Sequence, residues 1–125
     1  MFERIVVGVT KEATAREAVE RAQELARRFD AELHVVTAFD GSDERQADEA
    51  STMLDNLAMA SAASMRMHSE PGHPADAICR VVEQVNADLV IVGNKGLAGS
   101  SRWAKSVPGK LTRRSPCAVL VLDTI

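Results

Sequence analysis

The 125-residue chain has no tyrosine, one tryptophan and three phenylalanines, so aromatics make up only 3% of it. Recognition of single-stranded nucleic acid rests on aromatic platforms for the bases, and this sequence cannot supply them. A net charge of −3 likewise excludes bulk binding to DNA or RNA. Cysteine is scarce too. Cys79 and Cys117 stand alone, with no CxxC pair and no Cys/His cluster, so neither a redox motif nor a zinc site can be read. His34, His68 and His73 fall on different segments and form no ligand set. Apolar runs stop at about five residues, far below the ~20 that a membrane helix needs. The opening "MFERIVVGVT" lacks the cationic, apolar and cleavage regions of a signal peptide. These absences make a reduced, cytoplasmic protein the expectation, with no membrane or nucleic-acid partner and no metal.

What remains is ordinary globular composition, 46% hydrophobic and 26% charged, in one domain spanning 1–125. Ile5-Val6-Val7-Gly8-Val9 suits a strand buried on both faces. Ala15, Ala18, Val19, Ala22, Leu25, Ala26 and Phe29 then fall on one stripe of a helix. Thr14 and Glu17 read as its capping box, and Glu17/Arg21 and Glu24/Arg28 as i,i+4 pairs. Residues 32–38 read as a second strand. Ala47, Ala50, Leu54, Leu57 and Ala58 mark a second helix, and the alternation over 64–69 marks a half-exposed third strand. Pro74 opens a third helix, with Ile78, Val81, Val82 and Val85 as its apolar stripe. By spacing, Cys79 faces away from that stripe. Leu89–Val92 and Cys117–Leu122 are the last strands, around a helix expected over Val107–Arg114. Met53, Met59, Met65 and Met67 are expected in core or interface, His34 in the core and His73 in a loop. The β-α alternation means an α/β fold: a parallel sheet with helices on both faces.

In such sheets ligands sit beyond the carboxyl ends of the strands, where strand order reverses. The loop after the fourth strand, "GNKGLAGSSRWAKSVP", is the richest candidate. Gly93, Gly96 and Gly99 let backbone N–H groups approach an anion, and Ser106 before Val107-Pro108 reads as the N-cap of a helix. Residues 94–122 hold Lys95, Arg102, Lys105, Lys110, Arg113 and Arg114 and no acid. That segment carries +6, and the rest of the chain −9. An acidic chain has gathered cations around one glycine-rich loop, which fits a phosphate as well as it fits a solvated basic helix. The loop matches neither the P-loop nor GxGxxG, and no nucleophile elbow is present.

"IVVGV", "ELHVVTAF", "GHPADAICRVVEQVNADLVIVGNKG" and "SVPGKLTRRSPCAVLVL" together resemble the universal stress protein family, over almost the whole chain. The resemblance implies a Rossmann-like, adenine nucleotide alpha hydrolase-like open sheet of five strands, order 3-2-1-4-5, and usually a homodimer. Members that bind ATP carry Gly, two residues, Gly, nine residues, then Gly and Ser or Thr, with an Asp at the end of the first strand. Gly93 and Gly96 match that spacing and Ser106 matches the final Ser. Lys105 replaces the third Gly, with eight residues rather than nine between it and Gly96, and Thr10 replaces the Asp. The implied nucleotide-binding residues are Val9, Thr10, Ala38, Gly93, Asn94, Gly96, Lys105, Ser106 and Val107. The expected function is binding of an adenine nucleotide, ATP first, as a regulatory ligand in a stress response, without turnover. The alternatives are a family member that binds no nucleotide and acts through its dimer surface, and a hydrolase, which residues 89–122 disfavour by holding no acid. Strand five, without charge, Pro or Gly, is the expected dimer edge.

Overall fold

The computed structural model describes residues 1–9, 12–59, 64–93 and 102–123. Nine elements alternate: β1 (Arg4–Val9), α1 (Glu12–Phe29), β2 (Glu32–Phe39), α2 (Glu44–Met59), β3 (Arg66–Pro71), α3 (Pro74–Val85), β4 (Leu89–Gly93), α4 (Arg102–Arg114) and β5 (Ala118–Leu122). All strands pair in parallel, in the order β3-β2-β1-β4-β5. This is the expected sheet.

The side chains of β1 and β4 alternate between two cores, which is why both strands read as continuous apolar runs. Ile5, Val7, Val35 and Ile91 pack under Ala15, Ala18, Val19 and Ala22 of α1 and Leu54 and Leu57 of α2. Val6, Val36, Val90 and Val92 pack under Ile78, Val81 and Val82 of α3 and Val107 and Leu111 of α4. Gly8 lets α3 come close on this second face. A Cβ there would come within 2.5 Å of Ile78 Cδ1 and 3.3 Å of Val92 Cγ1.

Two helices stop in the same way. Asp30 after α1 and Asn86 after α3 both take positive φ, 54° and 55°, and the following amide folds back onto the helix. Ala31 donates to the Ala26 carbonyl and Ala87 to that of Val82. The Asp88 carboxylate then accepts from the backbone N–H groups of Glu3 and Arg4, tying the start of β4 to that of β1.

Several local expectations are corrected. Thr14 is the third residue of α1, because the helix begins at Glu12, so it is no N-cap. The Glu17/Arg21 and Glu24/Arg28 pairs are present. Ala58 and Met59 lie exposed at the end of α2, whereas Met53, Met65 and Met67 pack against the first core. The third strand runs over Arg66–Pro71, two residues later than the alternation suggested. Cys79 is buried in the second core rather than facing out, since α3 is covered by the sheet on one side and α4 on another. His73 is the N-cap of α3.

The largest correction concerns α4. It begins at Arg102, so Ser106 is its fifth residue and not its cap. The N-cap carbonyl already accepts from the fourth helical residue, so within α4 the free N–H groups belong to residues 102–104. The Ser106 and Val107 amides therefore lie past the free end. Pro108 falls in the seventh position and forgoes only its own bond to the carbonyl of residue 104.

Candidate functional site

From β1 the chain crosses through α1 to β2 on one side. It returns to the other side of β1 through α3, on the opposite face, to form β4. The carboxyl ends of β1 and β4 are thus the switch point where such sheets open a crevice. Val9 ends β1 and Gly93 ends β4. The structure brings Val9, Ala38 and Gly93 to this one edge of the sheet. Thr10, Asn94 and Gly96 lie outside the described residues, as do the side chains of Lys105 and Ser106, whose backbone is in α4. Val107 is 1% exposed and packs in the core, so its side chain is structural.

Beside this edge lies a cleft of about 400 Å³, lined by Ala38, Asp40, Gly41, Gln46, Gly72 and His73. Except for Ala38, sequence reasoning missed these residues. The Asp40-Gly41 turn and the Pro71-Gly72 break were the available signals. Asp40 accepts from the Ser42 amide and hydroxyl, at 3.0 and 2.8 Å, and those bonds hold its carboxyl below the ordinary range. Its own amide donates to Gln46 Oε1. Gly72 has φ +112°, a backbone that a side chain would strain, and its N–H donates to the Phe39 carbonyl at 2.8 Å. The turn is held on its other side by Arg80, whose guanidinium donates to the Pro71 carbonyl.

His73 Nδ1 accepts from the Ala75 amide at 3.2 Å, so that nitrogen carries no proton. Burial pushes the imidazole below its usual range, Lys110 and Arg114 add to the effect, and Asp76 opposes it. The basic helix α4 therefore reaches the cleft electrostatically. Arg114 also pairs with Asp76 in the first turn of α3, locking the two helices together. Among the described residues no group of three or more His, Cys, Asp or Glu side chains could hold a metal ion. No helix among them is long and apolar enough to cross a membrane.

The universal stress protein family model matches residues 1–123. Universal stress protein Rv1636 of Mycobacterium tuberculosis is 29% identical, over 98% of this chain and 97% of its own. Universal stress protein Sll1654 of Synechocystis is 27% identical, over 98% of this chain and 86% of its own. A solved universal stress protein in complex with cAMP superposes with a TM-score of 0.75 at 30% identity, covering 98% of this chain and 97% of that one. An Archaeoglobus fulgidus universal stress protein in complex with dAMP shares the fold at 21% identity and a TM-score of 0.70, over 95% and 96% of the two chains. Sheet order, crossovers and the match along nearly the full length agree, and the chain belongs to the universal stress protein family.

Proposed function

We propose that this chain binds an adenine nucleotide at the carboxyl ends of β1, β2 and β4 and acts as a ligand-controlled protein rather than an enzyme. The observation that carries the reading is the position of Gly93, which ends β4 beside β1 at the switch point and opens the Gly93-x-x-Gly96 sequence. A glycine there lets the backbone approach a phosphate, and the free N–H groups of α4 and its basic residues favour an anion nearby. The relative at 30% identity that holds cAMP supports the same ligand class. ATP is the proposed nucleotide, with a regulatory role in a cytoplasmic stress response. Val9, Thr10, Ala38, Gly93, Asn94, Gly96, Lys105, Ser106 and Val107 are the proposed contacts. Ser106 would make its contact through the hydroxyl, and Val107, packed in the core, would hold the first turn of α4 in place.

Two assignments go with this reading. Lys105 brings a cation into the first turn of α4, where the third glycine of the ATP-binding pattern would stand. A homodimer forms through β5, whose Leu120 and Val121 are 37% and 41% exposed. Antiparallel pairing with a second copy would satisfy its outer N–H and C=O groups and cover both side chains.

The test is to denature the purified protein and identify released small molecules by chromatography and mass spectrometry, with calorimetric titration of ATP, AMP and cAMP. Released adenine nucleotide, or micromolar binding of one of the three, supports the reading. Protein that carries none and shows no heat with any of them at millimolar concentration favours the family member that binds no nucleotide.

A further inference from the structure

A chain of three titratable side chains crosses from β2 to the edge strand β3, on the face that α3 covers. Glu32 Oε1 lies 2.6 Å from His34 Nε2, and His34 Nδ1 lies 2.8 Å from His68 Nε2. His34 is only 2% exposed. None of these groups belongs to the proposed nucleotide site.

The proton positions follow from the partners. An ionised carboxylate only accepts, so His34 Nε2 carries a proton and donates to Glu32. In a neutral His34 the Nδ1 atom is then an acceptor, and His68 Nε2–H must donate to it. One added proton fits: either imidazole becomes cationic, one N–H still lies between the rings, and Glu32 balances the charge. A second does not. It places an N–H on both nitrogens of the 2.8 Å contact and two cations beside each other.

We infer that the Glu32–His34–His68 chain is an acid-sensitive latch that holds β3 to the sheet and lets go when the histidine pair takes up its second proton. The surroundings allow this. Arg66 on β3 lies 3.5 Å from Glu32, and Arg4 on β1 acts on the same carboxylate, so both cations oppose further protonation. Glu70 on β3 favours a charge at His68, with Arg66 against it. Apart from partly buried Asp76 in its first turn, α3 presents apolar residues to the sheet; Arg80 is engaged with Pro71 and Glu83 is exposed. Burial and His34 push His68 below the ordinary imidazole range. At His68 the folded state therefore binds fewer protons than the unfolded one as pH falls below about 6.5, and this group's contribution to stability declines there. The strand that would loosen ends at Pro71, next to Gly72 and His73 of the cleft.

The experiment is amide hydrogen exchange followed by NMR at pH 7 and pH 5, corrected for intrinsic rates, on the wild-type protein and H68Q. Glutamine keeps a donor for His34 Nδ1 and cannot be protonated. The latch predicts that β3 amides of the wild type lose at least tenfold protection at pH 5, while Val6–Gly8 and Val90–Val92 hold theirs. H68Q should keep β3 protected at both pH values. A wild-type β3 that loses no more protection than β1 and β4 overturns the latch, whether or not the variant folds. So does an H68Q protein that loosens as much as the wild type.

Discussion

The two edges of the sheet are built on opposite plans. β3 carries Arg66, His68, Ser69, Glu70 and Pro71, and its side chains are engaged with β2 through His34 and Glu32. β5 is Ala118-Val119-Leu120-Val121-Leu122, with Ala118, Leu120 and Val121 open to solvent and Val119 and Leu122 packed inward. A polar edge with a proline is protected from pairing, and a bare apolar one invites it. The same sheet thus has one edge closed by its own side chains and one left bare, where a second copy is proposed to pair.

Substitutions can break that contrast. Val121→Lys at the apolar edge should have the largest effect, weakening the dimer by about 3 kcal/mol, roughly a hundredfold in dissociation constant. Sedimentation would show it, and a wild-type protein that is monomeric at high micromolar concentration would remove the dimer altogether. Next is Gly8→Ala, which forces Ile78 to move in the second core, between the sheet and α3. A loss of about 1–3 kcal/mol in denaturant unfolding is expected. Gly109→Ala on α4 should act in the opposite sense. Nothing lies within 4 Å of a Cβ there, and a helix interior gains up to about 1 kcal/mol from the change. Smallest is His73→Asn on the polar side. Asparagine keeps an N-cap acceptor but does not titrate. The imidazole is held below its usual range, so it favours the folded state above about pH 6.5 and loses that contribution as pH falls through the range below. The variant should be less destabilised than the wild type between pH 7 and 5.

Most of the fold was legible because its signals are local. The period of α1, the runs of β1 and β4 and Pro74 at the start of α3 each placed an element where it lies. The start of α4 was not legible, because Ser106-Val107-Pro108 resembles a cap so closely and a proline inside a helix is usually a stop. Cys79 was misplaced because helical spacing defines one stripe, whereas α3 is covered by both the sheet and α4. At the site, Gly93 and Ala38 came from strand ends and family resemblance. The cleft residues Asp40, Gly72 and His73 did not, because they meet only when β2 and β3 pair in register, Phe39 opposite Pro71. The Glu32–His34–His68 chain was hidden for the same reason: 34 positions separate its two histidines.

The central claim is an adenine nucleotide at the carboxyl ends of β1, β2 and β4. Titration of ATP into the isotope-labelled protein, followed by amide chemical shifts, tests it most directly. The account predicts saturable shifts confined to the amides of Val9, Thr10, Ala38, Gly93, Asn94 and Gly96, their neighbours in the same loops and the first turn of α4, with the amides at the starts of the strands, such as Ile5, Leu33 and Val90, unmoved. Saturable shifts elsewhere on the molecule, or none at millimolar ATP, would contradict it.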